Sequence, residues 1–245
     1  LPNPLPQDIQ RATVAILPAF NEAGNIGPLV EEIRKRFPEM TVLVVDDASS
    51  DGTGEEARRA GARLLTLACN LGIAGAVQAG YRYAAEGPYQ YAIRLDGDGQ
   101  HDPAAIADLL EPLASGRCDL VIGSRFRGDG GFRSTATRRL GIGFFVRCLS
   151  LMTGYHVSDP TSGFIGANRR ALAFLAEHLP EDYPEIETIL AAWNCRFRLE
   201  EVPVSMRPRQ KGHSSITFLG SIYFVLAVSL GLLAGLFKSR PEAGR

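Results

Sequence analysis

Apolar residues in this chain fall in short unbroken runs rather than in strict alternation. Thr13–Leu17, Thr41–Val45, Arg63–Leu67, Tyr91–Leu95 and Asp119–Gly123 are such runs, and continuous β-branched or apolar stretches of that length predict strands buried on both faces. Between them, Asn25–Phe37, Thr53–Ala60, Ile73–Ala85 and Pro103–Ser115 carry apolar residues at helical spacing. The last begins with Asp102 before Pro103, an N-cap followed by a proline at the first helical position. Strand–helix alternation of this kind predicts an α/β domain with a mainly parallel central sheet and helices on both faces. Further on, the pattern predicts an amphipathic helix at Thr135–Met152, a turn at Ser158–Phe164, helices at Arg169–Leu179 and Pro184–Trp193, and a strand at Arg198–Val204. No internal repeat is visible.

The remaining segments lie at the ends. Residues 1–12, with three prolines in the first six positions, have no charged region followed by an apolar stretch, so they read as a flexible lead-in rather than a signal peptide. Ile216–Phe237 is 22 residues without a charge, and a helix of that length spans about 33 Å, close to the hydrocarbon thickness of a bilayer. Basic residues flank it on both sides. The expected organisation is a lead-in at 1–12, a catalytic domain at 13–215 with an interfacial amphipathic helix at 134–153, and a membrane-associated helix at 216–237.

Composition narrows the function by exclusion. With 26 Lys+Arg against 27 Asp+Glu the net charge is −1, which argues against general nucleic-acid binding. The four cysteines are scattered without a CxxC or Cys/His spacing, so structural zinc is not expected, and thiols in a reducing compartment are.

Charge matters locally. In a parallel sheet, ligands bind beyond the carboxyl ends of the strands, and there the chain places Pro18-Ala19-Phe20-Asn21-Glu22, "DDASSDGT" at Asp46–Thr53 and "DGDGQ" at Asp96–Gln100. Clustered carboxylates repel and need a counter-charge. An EF-hand fails at both acidic loops: starting at Asp47 the twelfth position is Arg58, and starting at Asp96 the sixth is His101. A Rossmann fingerprint fails because the first loop reads PAFNEAGN. What remains for Asp96-x-Asp98 is a hard divalent cation shared with substrate phosphates, or a solvated turn. Six arginines and a single acid between Arg125 and Ser158 favour a phosphate-bearing ligand nearby.

The ordered set "ILPAFNEAGNI", "VLVVDDASSDGT", "NLGIAGAVQAG", "IRLDGDGQHDP", "VIGSRF", "DPTSGF" and "VPVSMRPRQKGHSSI" resembles the family 2 glycosyltransferases, and most closely their polyprenyl-phosphate sugar transferases of the dolichol-phosphate mannosyltransferase type. The resemblance covers about Thr13 to Ile216. It implies a GT-A fold, a nucleotide-diphosphate sugar donor, Mg²⁺ or Mn²⁺, and a polyprenyl phosphate acceptor at a membrane. It places Pro18, Asn21, Glu22, Asp46, Asp47, Gly75 and Asp96 at the donor, and Asp96, Asp98 and Gln100 at the metal. Arg125, Arg138, Arg139, Ser162, Arg209 and Ser214 fall at the acceptor, with Asp98, Arg125 and Arg209 closest to the chemistry. Where many relatives carry a basic residue, this chain has Ile73.

Several alternatives stand beside this reading. Asp47 and Asp51 could cap a turn, and Glu185 and Glu187 in "YPEIETI" could be surface acids of a helix. His101, His156 and His213 have no triad-like context. A sugar hydroxyl as acceptor would need a general base, for which Glu187 is the candidate. A phosphate acceptor would not, because its second pKa is about 6 and it is mostly dianionic at neutral pH. A non-catalytic, membrane-anchored nucleotide-sugar-binding module is the reading from another class. The catalytic domain is expected to face the cytosol, with a membrane partner subunit or a second copy of the chain as further partners.

Overall fold

The computed structural model describes residues 5–127, 146, 150, 154, 155, 157–178 and 184–207. Seven strands, β1 (Thr13–Ala19), β2 (Thr41–Asp46), β3 (Arg63–Thr66), β4 (Tyr91–Arg94), β5 (Leu120–Ser124), β6 (Ile165–Asn168) and β7 (Leu199–Pro203), form one sheet in the order β3-β2-β1-β4-β6-β5-β7. Six run in one direction. The exception is β6, which lies antiparallel between β4 and β5, with Arg94 opposite Ile165 and Ile122 opposite Ile165 on the other side.

The apolar runs become strands because both faces of the sheet are covered. Ala15 and Leu17 of β1 face α2 (Ile26–Arg36) and α5 (Ile106–Ala114), along with Ala57 of α3 (Thr53–Arg59). Val14 and Ile16 face α4 (Gly72–Glu86), α6 (Arg169–His178) and α7 (Pro184–Asn194). All seven residues of β1 are buried, and each fully buried Leu or Ile side chain contributes about 1.5–3 kcal/mol. Gly80 lets α4 settle onto β1, for a Cβ there would fall 2.4 Å from Ile16.

One element is added and one expectation changes. The segment Ile165–Asn168, between the turn expected at Ser158–Phe164 and the helix expected at Arg169–Leu179, is strand β6. The lead-in is helical at α1 (Gln7–Arg11), because Leu5 and Ile9 find apolar cover against the core and Gln10 bonds back to the carbonyl of Leu5 at 2.8 Å. The interfacial helix expected at 134–153 and the membrane helix at 216–237 lie outside the described residues, except that Val146 and Ser150 are helical. Among the described residues, no helix is long and apolar enough to cross a membrane.

Candidate active site

The loops that follow β1, β2, β3, β4, β5 and β7 gather at one edge of the sheet, and the reversal of β6 brings the turn before it, Ser158–Phe164, to the same edge. The first two loops are tied by their own polar groups. Asn21, in a left-handed conformation at φ 55°, accepts from the Ser50 N–H at 3.0 Å and donates its own N–H to Ser49 Oγ at 3.0 Å. The Glu22 N–H donates to Thr53 Oγ1 at 2.8 Å, and the Glu22 carboxylate accepts from Asn25. Asp51 accepts from Thr53 and from the Ala23 N–H, the turn-capping role allowed for it on sequence grounds.

Asp46 and Asp47, the acids expected at the donor, are buried. Asp46 accepts from the Ser49 N–H at 3.0 Å. Asp47 Oδ1 and Oδ2 accept from the N–H groups of Leu71 and Gly72 at 2.7 and 2.8 Å, so one carboxylate fixes the loop that opens α4. Gly75, the fourth residue of α4, sits over the side chain of Leu71, which a Cβ would meet at 2.5 Å. Pro18, near the end of β1, offers its carbonyl to the acidic loop: a Cβ on Gly97 would fall 2.9 Å from that oxygen. Phe20, Leu71 and Ile73 are exposed around this part of the edge.

The acidic loop after β4 is held from three sides. Asp98 Oδ1 accepts from the Gln100 N–H at 3.0 Å. The Asp96 N–H donates to His101 Nδ1 at 3.2 Å, which requires that nitrogen to be unprotonated. Burial pushes the imidazole below its ordinary value against the pull of Asp96 and Asp98, so it is neutral at pH 7, and it packs against the Phe164 ring at 4.9 Å. Burial works against ionisation of Asp96, and the charges of Arg94 and Arg125 favour it; its carboxyl lies below the usual range. With His101 uncharged, the two arginines are the standing counter-charges. From the far side, Arg207 donates its N–H to the Gln100 carbonyl at 2.8 Å and its guanidinium to Asp102 and Glu32.

In the part of the edge expected to meet the acceptor, the Arg125 guanidinium makes two bonds to Asp159, at 2.6 and 2.7 Å, and one to Thr161 at 2.8 Å. Asp159 is fully buried and also accepts from the Arg125 N–H. Ser162 turns its hydroxyl inward, donating to the Gly123 carbonyl at 2.6 Å and accepting from the Phe164 N–H. Both residues, expected at the acceptor, are engaged in holding the Ser158–Phe164 turn. Gly163 lies against the acidic loop, where a Cβ would fall 2.7 and 2.8 Å from the two oxygens of Asp96. Arg138, Arg139, Arg209, Ser214, His156 and His213 lie outside the described residues, as does the side chain of Glu187.

Three residues gain a part that their types did not announce. Arg94, at the end of an apolar strand, is 2% exposed and pairs with Glu185 at 2.6 Å, so Glu185 is a half-buried ion-pair partner rather than a solvated acid. His101 is a structural acceptor, and Arg207 is a clasp. The signal for Arg94 was present in the sequence, since a charge inside Tyr91–Leu95 needs a buried partner.

Asp96 and Asp98 suit a hard cation: both are oxygen donors, and Asp96 is held ionised. Among the described residues no three His, Cys, Asp or Glu converge into a closed cage, so the remaining ligands would be phosphate oxygens and water.

The comparisons with known proteins agree with this geometry. Polyprenol monophosphomannose synthase of Mycolicibacterium smegmatis is 28% identical over 215 residues, 84% of this chain and 81% of that protein. Undecaprenyl-phosphate mannosyltransferase of Micrococcus luteus is 30% identical, over 83% of this chain and 87% of that one. The fold is that of the solved glucosyl-3-phosphoglycerate synthase of Mycobacterium tuberculosis (TM-score 0.71, 21% identity, 94% of this chain and 82% of that one), a GT-A enzyme fold; that synthase has also been solved with Mn²⁺ and UDP-glucose. The family model for "Glycosyl transferase family 2" matches residues 14–175, a stretch that runs from β1 into α6 and contains the acidic loops and the turn before β6, and the chain therefore belongs to that family of glycosyltransferases.

Proposed function

We propose that this enzyme transfers a hexose, mannose or glucose, from a nucleotide-diphosphate sugar to a polyprenyl phosphate, with Mg²⁺ or Mn²⁺, at the cytosolic face of a membrane. The observation that carries this reading is the contact of Gly163 with the Asp96 carboxylate, which sets the turn before β6 directly against the acids suited to a cation and a diphosphate. The names of the two mannosyl-transferring relatives support a lipid phosphate as acceptor. The Mn²⁺ and UDP-glucose in the solved neighbour support a metal and a nucleotide sugar.

Asp96 and Asp98 hold the cation, with Gln100 beside them; when bound, it supplies positive charge to the leaving diphosphate. Pro18, Asn21, Glu22, Asp46, Asp47 and Gly75 form the donor side, where Asp47 keeps the Leu71–Gly72 backbone in place. Arg125 locks the Ser158–Phe164 turn through Asp159. Arg138, Arg139 and Arg209, with Ser214, receive the attacking phosphate, for which guanidinium forks are suited. A phosphate dianion needs positioning rather than a general base, so in-line attack on the anomeric carbon gives a single displacement with inversion. The segment at 216–237 anchors the chain to the membrane and the helix at 134–153 lies at its surface, with a second copy or a partner subunit beside them.

The test is incubation of the enzyme with a panel of nucleotide sugars, membrane lipid extract and Mg²⁺, followed by mass spectrometry. A new sugar-phosphate lipid is expected. Elongation of a free glycan with no such lipid would overturn the acceptor, and carbonate-washed membranes that release the full chain would overturn the anchor.

A further inference from the structure

We propose that Arg94 is a positioning residue for the acidic loop, clamping the Asp96 carboxylate in place while itself anchored by Glu185 at the start of α7. The inference rests on the reading of Asp96 and Asp98 as the cation–diphosphate site and gives a part to a residue to which no role was assigned from the sequence.

Arg94 ends β4, and its neighbours in the chain, Ala92, Ile93 and Leu95, are all fully buried. Placing a guanidinium there is costly unless charges of opposite sign meet it. Two do, and the same nitrogen serves both: Nη2 stands 2.6 Å from Glu185 Oε1 and 3.6 Å from Asp96 Oδ1. Burial works against the charge on Arg94, but Glu185 and Asp96 outweigh it. Burial also pushes Tyr81 up to about 12, so Tyr81 stays a neutral wall of this pocket. The Arg94 Nε has no hydrogen-bond partner among the described residues.

That orphaned Nε is informative. A pair kept only for packing would do as well or better as two apolar side chains of similar volume. A charged fork with one donor unused is retained where one of its contacts matters for something other than stability. The contact that reaches outward is the one to Asp96, whose other side rests on Gly163. Asp96 is thus gripped between a guanidinium below and the turn beside it. Its carboxylate is positioned from β4 and α7 in addition to the loop's own bond from the Asp96 N–H to His101, as preorganised sites require.

The test compares the full chain with Arg94→Met, Glu185→Leu, the double variant and Arg94→Lys. Three readouts are needed: thermal melting, hydrogen exchange at residues 96–101, and Mn²⁺ affinity by electron paramagnetic resonance. Each single variant strands a buried charge or empties its site and is expected to melt early. The double variant is expected to recover most of that loss. Its 96–101 amides should nonetheless exchange about tenfold faster, and its Mn²⁺ dissociation constant should rise about tenfold, a change of about 1.4 kcal/mol. Arg94→Lys, which keeps the charge without the fork, should fall between. A double variant with wild-type exchange and wild-type Mn²⁺ affinity would overturn the proposal and leave Arg94 as a partner for Glu185 alone. If the wild-type chain binds no Mn²⁺, the metal reading falls by itself; faster exchange at 96–101 in the double variant then still upholds the clamp, and unchanged exchange overturns it.

Discussion

Gly163 and Asp96 occupy one another's van der Waals space so closely that a methyl group on the glycine would stand 2.7 Å from one carboxylate oxygen and 2.8 Å from the other. Gly163→Ala must therefore move either the turn or the acid. The expected cost is about 1–3 kcal/mol, as for other overpacking changes, with donor turnover reduced beyond what the loss of stability explains. Urea unfolding beside a donor-consumption assay separates the two effects. Wild-type turnover would mean that the turn retreats without disturbing Asp96.

Asp98→Asn is expected to leave the fold intact, since the side chain is partly exposed and its backbone bond to Gln100 can be kept by an amide. Transfer should fall at least about a hundredfold, the scale on which a preorganised electrostatic group acts. Chelation of wild-type enzyme should abolish activity, and Mg²⁺ or Mn²⁺ should restore it. Full turnover in excess chelator would remove the metal from the reaction.

Removing the Asp47 carboxylate takes the acceptor from the Leu71 N–H and one of two acceptors from the Gly72 N–H, which also donates to Asn70 Oδ1, at about 0.5–1.5 kcal/mol for each hydrogen bond lost. Asp47→Ala should melt earlier and show a raised KM for the nucleotide sugar, with faster hydrogen exchange at residues 70–72. Asp47→Asn keeps one acceptor and should fall between the two. A variant with normal KM would show that the loop keeps its place without the acid.

The clasp between Arg207 and Glu32 predicts a pH dependence. The guanidinium hydrogen bonds, opposed by burial, hold the Glu32 carboxyl below its ordinary 4.5. A depressed acid adds stability that is complete above its unfolded value and is lost as pH falls through the lower folded value. The stability difference between wild type and Glu32→Gln should thus be about 0.2–1 kcal/mol at neutral pH and shrink as pH drops below 4.5. Paired urea titrations across the acid range test this. A difference that grows on acidification would reverse the assignment.

The sheet was legible where burial dictated composition. Ala15 to Leu17 and Val42 to Val45 are apolar on both faces because helices cover both, and that requirement is written in each run. The reversed strand was not legible, because Ile165–Asn168 has four residues, two of them Gly and Ala, and its direction is fixed by register with β4 and β5 rather than by its own pattern. The acids of the loops could be found because close carboxylates call for a counter-charge. Their counter-charges could not all be found: Glu185 stands 91 positions from Arg94, and Asp159 stands 34 positions from Arg125. Ser162 was legible as part of the acceptor turn but not as a hydroxyl pointing inward, since only the folded Gly123 carbonyl tells which way it faces.

Because β6 is laid against the direction of its neighbours, the turn that precedes it arrives at an edge otherwise built only from segments that follow strands. The stretch before β5 and the stretch after it therefore meet in the folded chain, where Glu185 reaches Arg94 and the Arg207 guanidinium reaches Glu32 and Asp102, so a change in the length of either stretch is felt at the acidic loop.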